Sequence, residues 1–140
     1  MTLKHYTLDA CAIVAMLWNE QGSDVIGDIF KRATKNDAVM IMHLVNLLEV
    51  YSVVHKKEGS VNAGIAIERM KQSPIQFFDT MGQPFMSAFA QVRAQYGTHF
   101  TDTFVVATNI IHANNGTILT ADSGFDKIKD EGKIQVLYFR

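Results

Sequence analysis

One cysteine, two prolines and a net charge of −1 are the scarcities of this 140-residue chain, and each excludes something. Cys11 has no second thiol to join, so there is no intramolecular disulfide, which fits a reducing compartment. Pro74 and Pro84 mark boundaries between elements, and no linker, internal repeat or low-complexity tract accompanies them. Met1 to Tyr6 lack the basic region and long apolar run of a signal peptide. The longest apolar stretch, Ala38 to Val54, is broken by His43, Asn46 and Glu49 and reaches only the short end of the roughly 17–25 residues that span a bilayer. The expectation is a cytoplasmic protein with no membrane association.

The near-zero net charge argues against a protein that coats long stretches of nucleic acid. It leaves a nuclease open, because a bound metal adds positive charge that formal counting misses. Lys31, Arg32 and Lys35, and Lys56 with Lys57, read as solvated helix faces. A glycine-rich first turn for a dinucleotide is missing. His5, His43, His55, His99 and His112 lack zinc-ligand spacing and read as surface or cap histidines.

What is present is an ordinary globular balance, 48% hydrophobic and 19% charged. A domain of this length buries roughly 68–70% of its unfolded-chain surface, enough for a core without staples. One domain over residues 1–140 is expected. Strands are predicted at His5–Leu8, Val39–Met42, Ile75–Phe78, Thr117–Thr120 and Ile134–Phe139. Helices are predicted at Ala10–Trp18, Ser23–Thr34, Leu44–Lys57, Val61–Gln72, Phe85–Tyr96, Thr101–Asn114 and Phe125–Asp130. Five short strands alternating with helices mean an α/β protein, a parallel sheet with helices on both faces. Met40, Met42, Phe77, Phe78, Phe85 and Phe89 are expected to build core or a dimer face. Ligands in such sheets bind beyond the carboxyl ends of the strands, at a topological switch point.

That rule directs attention to four acids. Asp9 directly follows the first strand and Asp122 the fourth, so both stand at the carboxyl edge; each reads equally well as a helix cap. Asp102 opens a helix, where the dipole favours an acid in any case. Glu49 lies in an otherwise apolar helix, in a polar stripe with Asn46, Ser52 and Lys56 that a solvated face explains. Asp126, four residues beyond Asp122, is placed to face the same region. Several carboxylates in one place repel one another, and a divalent cation such as Mg²⁺ or Mn²⁺, which prefers oxygen ligands, removes the conflict.

The settings of these acids resemble the PIN-domain family, in particular the VapC-type toxin ribonucleases. The matching segments are Leu8-Asp9-Ala10-Cys11-Ala12-Ile13, Asn46-Leu47-Leu48-Glu49-Val50, Thr101-Asp102-Thr103-Phe104 and Leu119-Thr120-Ala121-Asp122, from Tyr6 to Phe139 nearly the whole chain. The resemblance implies a three-layer α/β/α fold with sheet order 3-2-1-4-5, so that the first and fourth strands are neighbours. It also implies Mg²⁺ or Mn²⁺, an RNA substrate, homodimers and inhibition by a small antitoxin. Asp9, Glu49, Asp102 and Asp122 would be the catalytic metal-binding residues, with Asn46, Thr120 and Asp126 around them. Many members carry a hydroxyl one or two positions after the first Asp. Here Ala10 and Cys11 stand there, and Thr101 or Thr120 is the expected replacement.

Two other readings fit less well. A receiver-type phosphoacceptor domain needs a paired acid after the first strand and a late Lys; Asp9 has no acidic neighbour, and Lys133 precedes the last strand. A phosphatase of the dehalogenase type needs Asp-x-Asp there, and Cys11 occupies the second place. A non-catalytic partner-binding module with the same acidic site is the remaining alternative.

Overall fold

The central strands are buried on both faces, as their unbroken apolar runs require. In the computed structural model, which describes residues 3–140, strand β1 spans Lys4–Leu8, and its Tyr6, Thr7 and Leu8 are all buried. It leads directly into helix α1, Ala10–Leu17, and then α2, Ser23–Thr34. Strand β2, Ala38–His43, is followed by α3, Leu44–Glu58, and α4, Ser60–Lys71. The short strand β3, Gln76–Phe78, precedes α5, Gln83–Tyr96, and α6, Phe100–His112. Strand β4, Thr117–Thr120, a 3-10 turn over Ser123–Phe125, helix α7, Asp126–Glu131, and strand β5, Val136–Tyr138, complete the order.

The five strands form one parallel sheet in the order β3-β2-β1-β4-β5. Tyr6 pairs with Met40 on one side of β1, and Leu8 pairs with Leu119 on the other. The chain therefore builds outward from β1 through β2 to β3, then returns to lay β4 and β5 on the opposite side. The switch point lies between β1 and β4, and their carboxyl ends open there. Asp79 is exposed after the edge strand β3.

The larger core packs Leu8, Met40 and Met42 of the sheet against Ile13, Ile26, Ile29, Leu47, Val50 and Met70 of α1 to α4. A second core joins Val105, Val106, Ile118, Phe125, Ile128 and Val136. A third is aromatic, with Phe85 and Phe104 buried. Helix α6 serves these last two and is buried without interruption from Asp102 to Asn109. Among its buried polar members, the Thr108 hydroxyl finds no partner among the described residues, whereas Asn109 accepts from the Thr7 hydroxyl at 2.7 Å and donates to the Gly116 carbonyl at 2.8 Å. One side chain thus ties α6 to β1 and to the turn before β4.

His43 is a cap histidine. It is buried at the start of α3, where its Nδ1 accepts the Val45 N–H at 3.0 Å. Gly59, at φ +89°, ends α3 and starts α4 in a conformation that other residues rarely adopt. Among the described residues no helix is long and apolar enough to cross a membrane.

Candidate metal centre

Asp9 is held rigidly because it does two things at once. Its Oδ1 accepts the Ala10 N–H at 2.7 Å, the N-cap of α1. Its Oδ2 accepts from the Thr120 hydroxyl at 2.8 Å and from the Cys11 thiol at 3.4 Å. Thr120, in turn, accepts the Asp122 N–H at 3.0 Å. The capping and site readings of Asp9 are therefore compatible, and Thr120 supplies the hydroxyl that Ala10 and Cys11 do not.

Asp102 comes from the first turn of α6, where the helix's buried run begins, and is 5% exposed. Asp122 stands after β4 and is exposed; its Oδ1 accepts the Gly124 N–H at 2.9 Å. One carboxylate oxygen from each of Asp9, Asp102 and Asp122 lies within 4.8 Å of the others. Glu49 falls outside this close trio but lines the same cavity of about 300 Å³, with Cys11, Val14, Glu20, Val53 and Arg140 in its wall. Its Oε2 accepts from the Thr101 hydroxyl at 3.4 Å, and the Asn46 amide donates to the Thr101 carbonyl at 3.0 Å. Thr101 so links α3 to the start of α6, one residue before Asp102.

Charge repulsion is written into these groups. The Asp102 carboxyl is pushed up to about 7, first by burial and then by the charges of Asp9, Asp122 and Glu49. Burial raises Asp9 as well, against the lowering effect of the bonds from Thr120, Cys11 and Ala10. Glu49 is raised by burial and by Asp9. Burial and the Asp9 charge push the Cys11 thiol up to about 12, so it stays a protonated donor at neutral pH.

The residues fit a hard divalent cation. The donor set is all oxygen, the ligand type that Mg²⁺ and Mn²⁺ prefer. The buried Oε1 of Glu49 and Oδ1 of Asn46, one turn apart on α3, have no partner among the described residues. Gly124 keeps the space open: a Cβ there would stand 3.1 Å from Asp102 Oδ2 and 3.3 Å from Asp122 Oδ1.

Of the residues expected at the site, Asp9, Asp102 and Asp122 are brought together, Glu49 shares their cavity, Thr120 bonds Asp9 itself, and Asn46 bonds Thr101 beside Asp102. Asp126 stands apart from these. Its carboxylate accepts a hydrogen bond from the Tyr138 hydroxyl, and it is neither in the close trio nor in the cavity wall. The 3-10 turn over Ser123–Phe125 separates it from Asp122, so the two never share an α-helical face. Gly124 and Arg140 are the additions. An Asp-Ser-Gly turn after a strand was a usable signal for Gly124; nothing local marked Arg140.

The PIN domain family model matches residues 6–131. The chain belongs to the PIN domain family. Solved structures share its architecture at low identity. VapBC2 from Rickettsia felis, bound to a DNA fragment from its promoter, is 14% identical with a TM-score of 0.73, over 96% of this chain and 98% of that one. DNA-bound VapBC from Salmonella typhimurium is 15% identical with a TM-score of 0.68, over 99% and 100%. A toxin–antitoxin complex from Klebsiella pneumoniae is 14% identical with a TM-score of 0.64, over 98% of both chains. No curated protein matches the sequence.

Proposed function

We propose that this protein is an Mg²⁺- or Mn²⁺-dependent endoribonuclease and the toxin of a type II toxin–antitoxin pair. One observation carries the reading: three carboxylates from distant parts of a PIN domain meet within 4.8 Å at the switch point of its sheet. Asp9, Asp102 and Asp122 hold the ion, with Glu49 as a further ligand, directly or through water. Such an ion supplies Lewis-acid chemistry, activating water as a nucleophile and offsetting charge that builds on a phosphodiester.

The chain's own residues prepare that chemistry. Thr120 and the Ala10 N–H fix the orientation of Asp9. Asn46 and Thr101 fix the relation of Glu49 to the start of α6. Asp122, the exposed member, stands at the cavity mouth, where it can orient water and accept its proton. Asp102, half protonated near neutral pH without an ion, gives up its proton when one is bound.

The partner reading rests on the similarity to toxin–antitoxin complexes. A homodimer reading is supported by the apolar cavity lined by Phe85, Phe89 and Phe104, around which Met81, Met86 and Phe100 are more than half exposed. The experiment is cleavage of single-stranded RNA by the purified protein. Cleavage should appear with Mn²⁺ and stop with a chelator. RNA left intact under both conditions would favour the non-catalytic partner-binding module instead.

A further inference from the structure

Of the side chains that line the acidic cavity, Arg140 is the one cation among the described residues. Its place is built. The Phe139 N–H extends the sheet by donating to the Thr120 carbonyl at 3.1 Å, and the Phe139 side chain is buried. Gly22, at φ +88°, lets the loop after α1 close on this segment, since a Cβ there would stand 2.1 Å from the Phe139 carbonyl oxygen. Arg140 then reaches that loop, donating through Nη1 to Glu20 Oε1 at 3.3 Å and to the Gln21 carbonyl at 3.4 Å. Its side chain is 33% exposed.

Two features of this geometry are informative. The ion pair is made with Glu20, so the guanidinium is held at the wall and does not occupy Asp9, Asp102 or Asp122. Both protein bonds use Nη1, which leaves the edge formed by Nε and Nη2 for another acceptor. That planar edge matches two oxygens of a phosphate. A cavity walled by five acids and one arginine would repel an RNA backbone everywhere except at that arginine and at a bound cation.

We propose that Arg140 is a substrate-positioning residue whose Nε/Nη2 edge binds a backbone phosphate of the RNA entering the cavity. This rests on the ribonuclease reading above. Glu20 serves as the strut that aims it.

The test measures binding of a 5′-labelled pool of random-sequence single-stranded RNA to the full chain. Ca²⁺ takes the place of the catalytic ion, and Mn²⁺ affinity is titrated separately. Arg140→Gln should weaken RNA binding about tenfold or more. It should also lower the slope of log Kd against log salt by about 0.7, the loss of one phosphate contact to a single strand. Mn²⁺ affinity and Tm should stay at the wild-type level. Arg140→Lys should keep the salt slope and recover part of the affinity. Wild-type RNA affinity in Arg140→Gln, with or without tighter Mn²⁺ binding, would overturn the proposal while leaving the ribonuclease reading intact. Wild-type protein that binds no RNA would overturn both.

Discussion

The Thr120 hydroxyl donates to Asp9 Oδ2 at 2.8 Å while accepting the Asp122 N–H at 3.0 Å. One oxygen at the end of β4 therefore orients the Asp9 carboxylate and the backbone of Asp122. Thr120→Val keeps the shape and removes both bonds, so Mn²⁺ affinity should fall roughly 10–100-fold, the usual effect of losing a group that orients a metal ligand. Thr120→Ser should retain it. Calorimetric titration of both variants checks this; equal affinity in Thr120→Val would remove Thr120 from the account.

Cys11 lies beside the same carboxylate, and its thiol is pushed up to about 12. A free thiol near 8.5 carries on the order of a thousandfold more thiolate at pH 8. Iodoacetamide should thus label Cys11 at least about a hundredfold more slowly than glutathione under the same conditions. Labelling at the rate of a free thiol would contradict the buried, protonated state.

The pH dependence follows from Asp102. Its carboxyl lies at about 7 in the folded, metal-free protein, raised from 3.8. Between those values the folded state holds a proton that the unfolded state has released, so this group's contribution to stability falls as pH rises through the window. In chelator, Asp102→Asn should gain stability relative to wild type as pH rises from about 5 to about 8. Mn²⁺ should stabilise wild type more at the higher pH. Urea denaturation of the two proteins across that range provides the measurement, and a loss of Asp102→Asn stability relative to wild type as pH rises would contradict the sign.

Asn109 makes a structural prediction. It is fully buried and joins Thr7 to Gly116, so it fixes the helix bearing Asp102 against the strand before Asp9 and the turn before β4. Asn109→Ala leaves a hydroxyl and a carbonyl without their partner and should cost about 2–4 kcal/mol. Denaturant unfolding would register it; a change within about 0.5 kcal/mol, the range of ordinary surface substitutions, would contradict the role.

How far the sequence alone carried depends on what each residue's signal was. The alternation of apolar runs placed all five strands and the seven α-helices close to where they stand, because the parallel sheet buries its strands continuously. Asp9 and Asp122 were found from chain position, since a strand end is a local property. Asp102 and Glu49 were ambiguous, because a helix dipole and a polar stripe explain them equally well until α6 is seen to be buried. Asp126 is set off from Asp122 by a 3-10 turn, so helical spacing alone does not describe how the two are related. Arg140 was invisible because only closure of the α1–α2 loop on Phe139 brings it to the cavity.

The most direct test of the central claim is RNA cleavage by Asp9→Asn in Mn²⁺, with circular dichroism and Tm measured on the same sample. Asparagine keeps an acceptor for the Ala10 N–H, so the fold should persist while metal-dependent cleavage, present in wild type, is lost. Undiminished, chelator-sensitive cleavage by the folded variant would contradict a site built on Asp9.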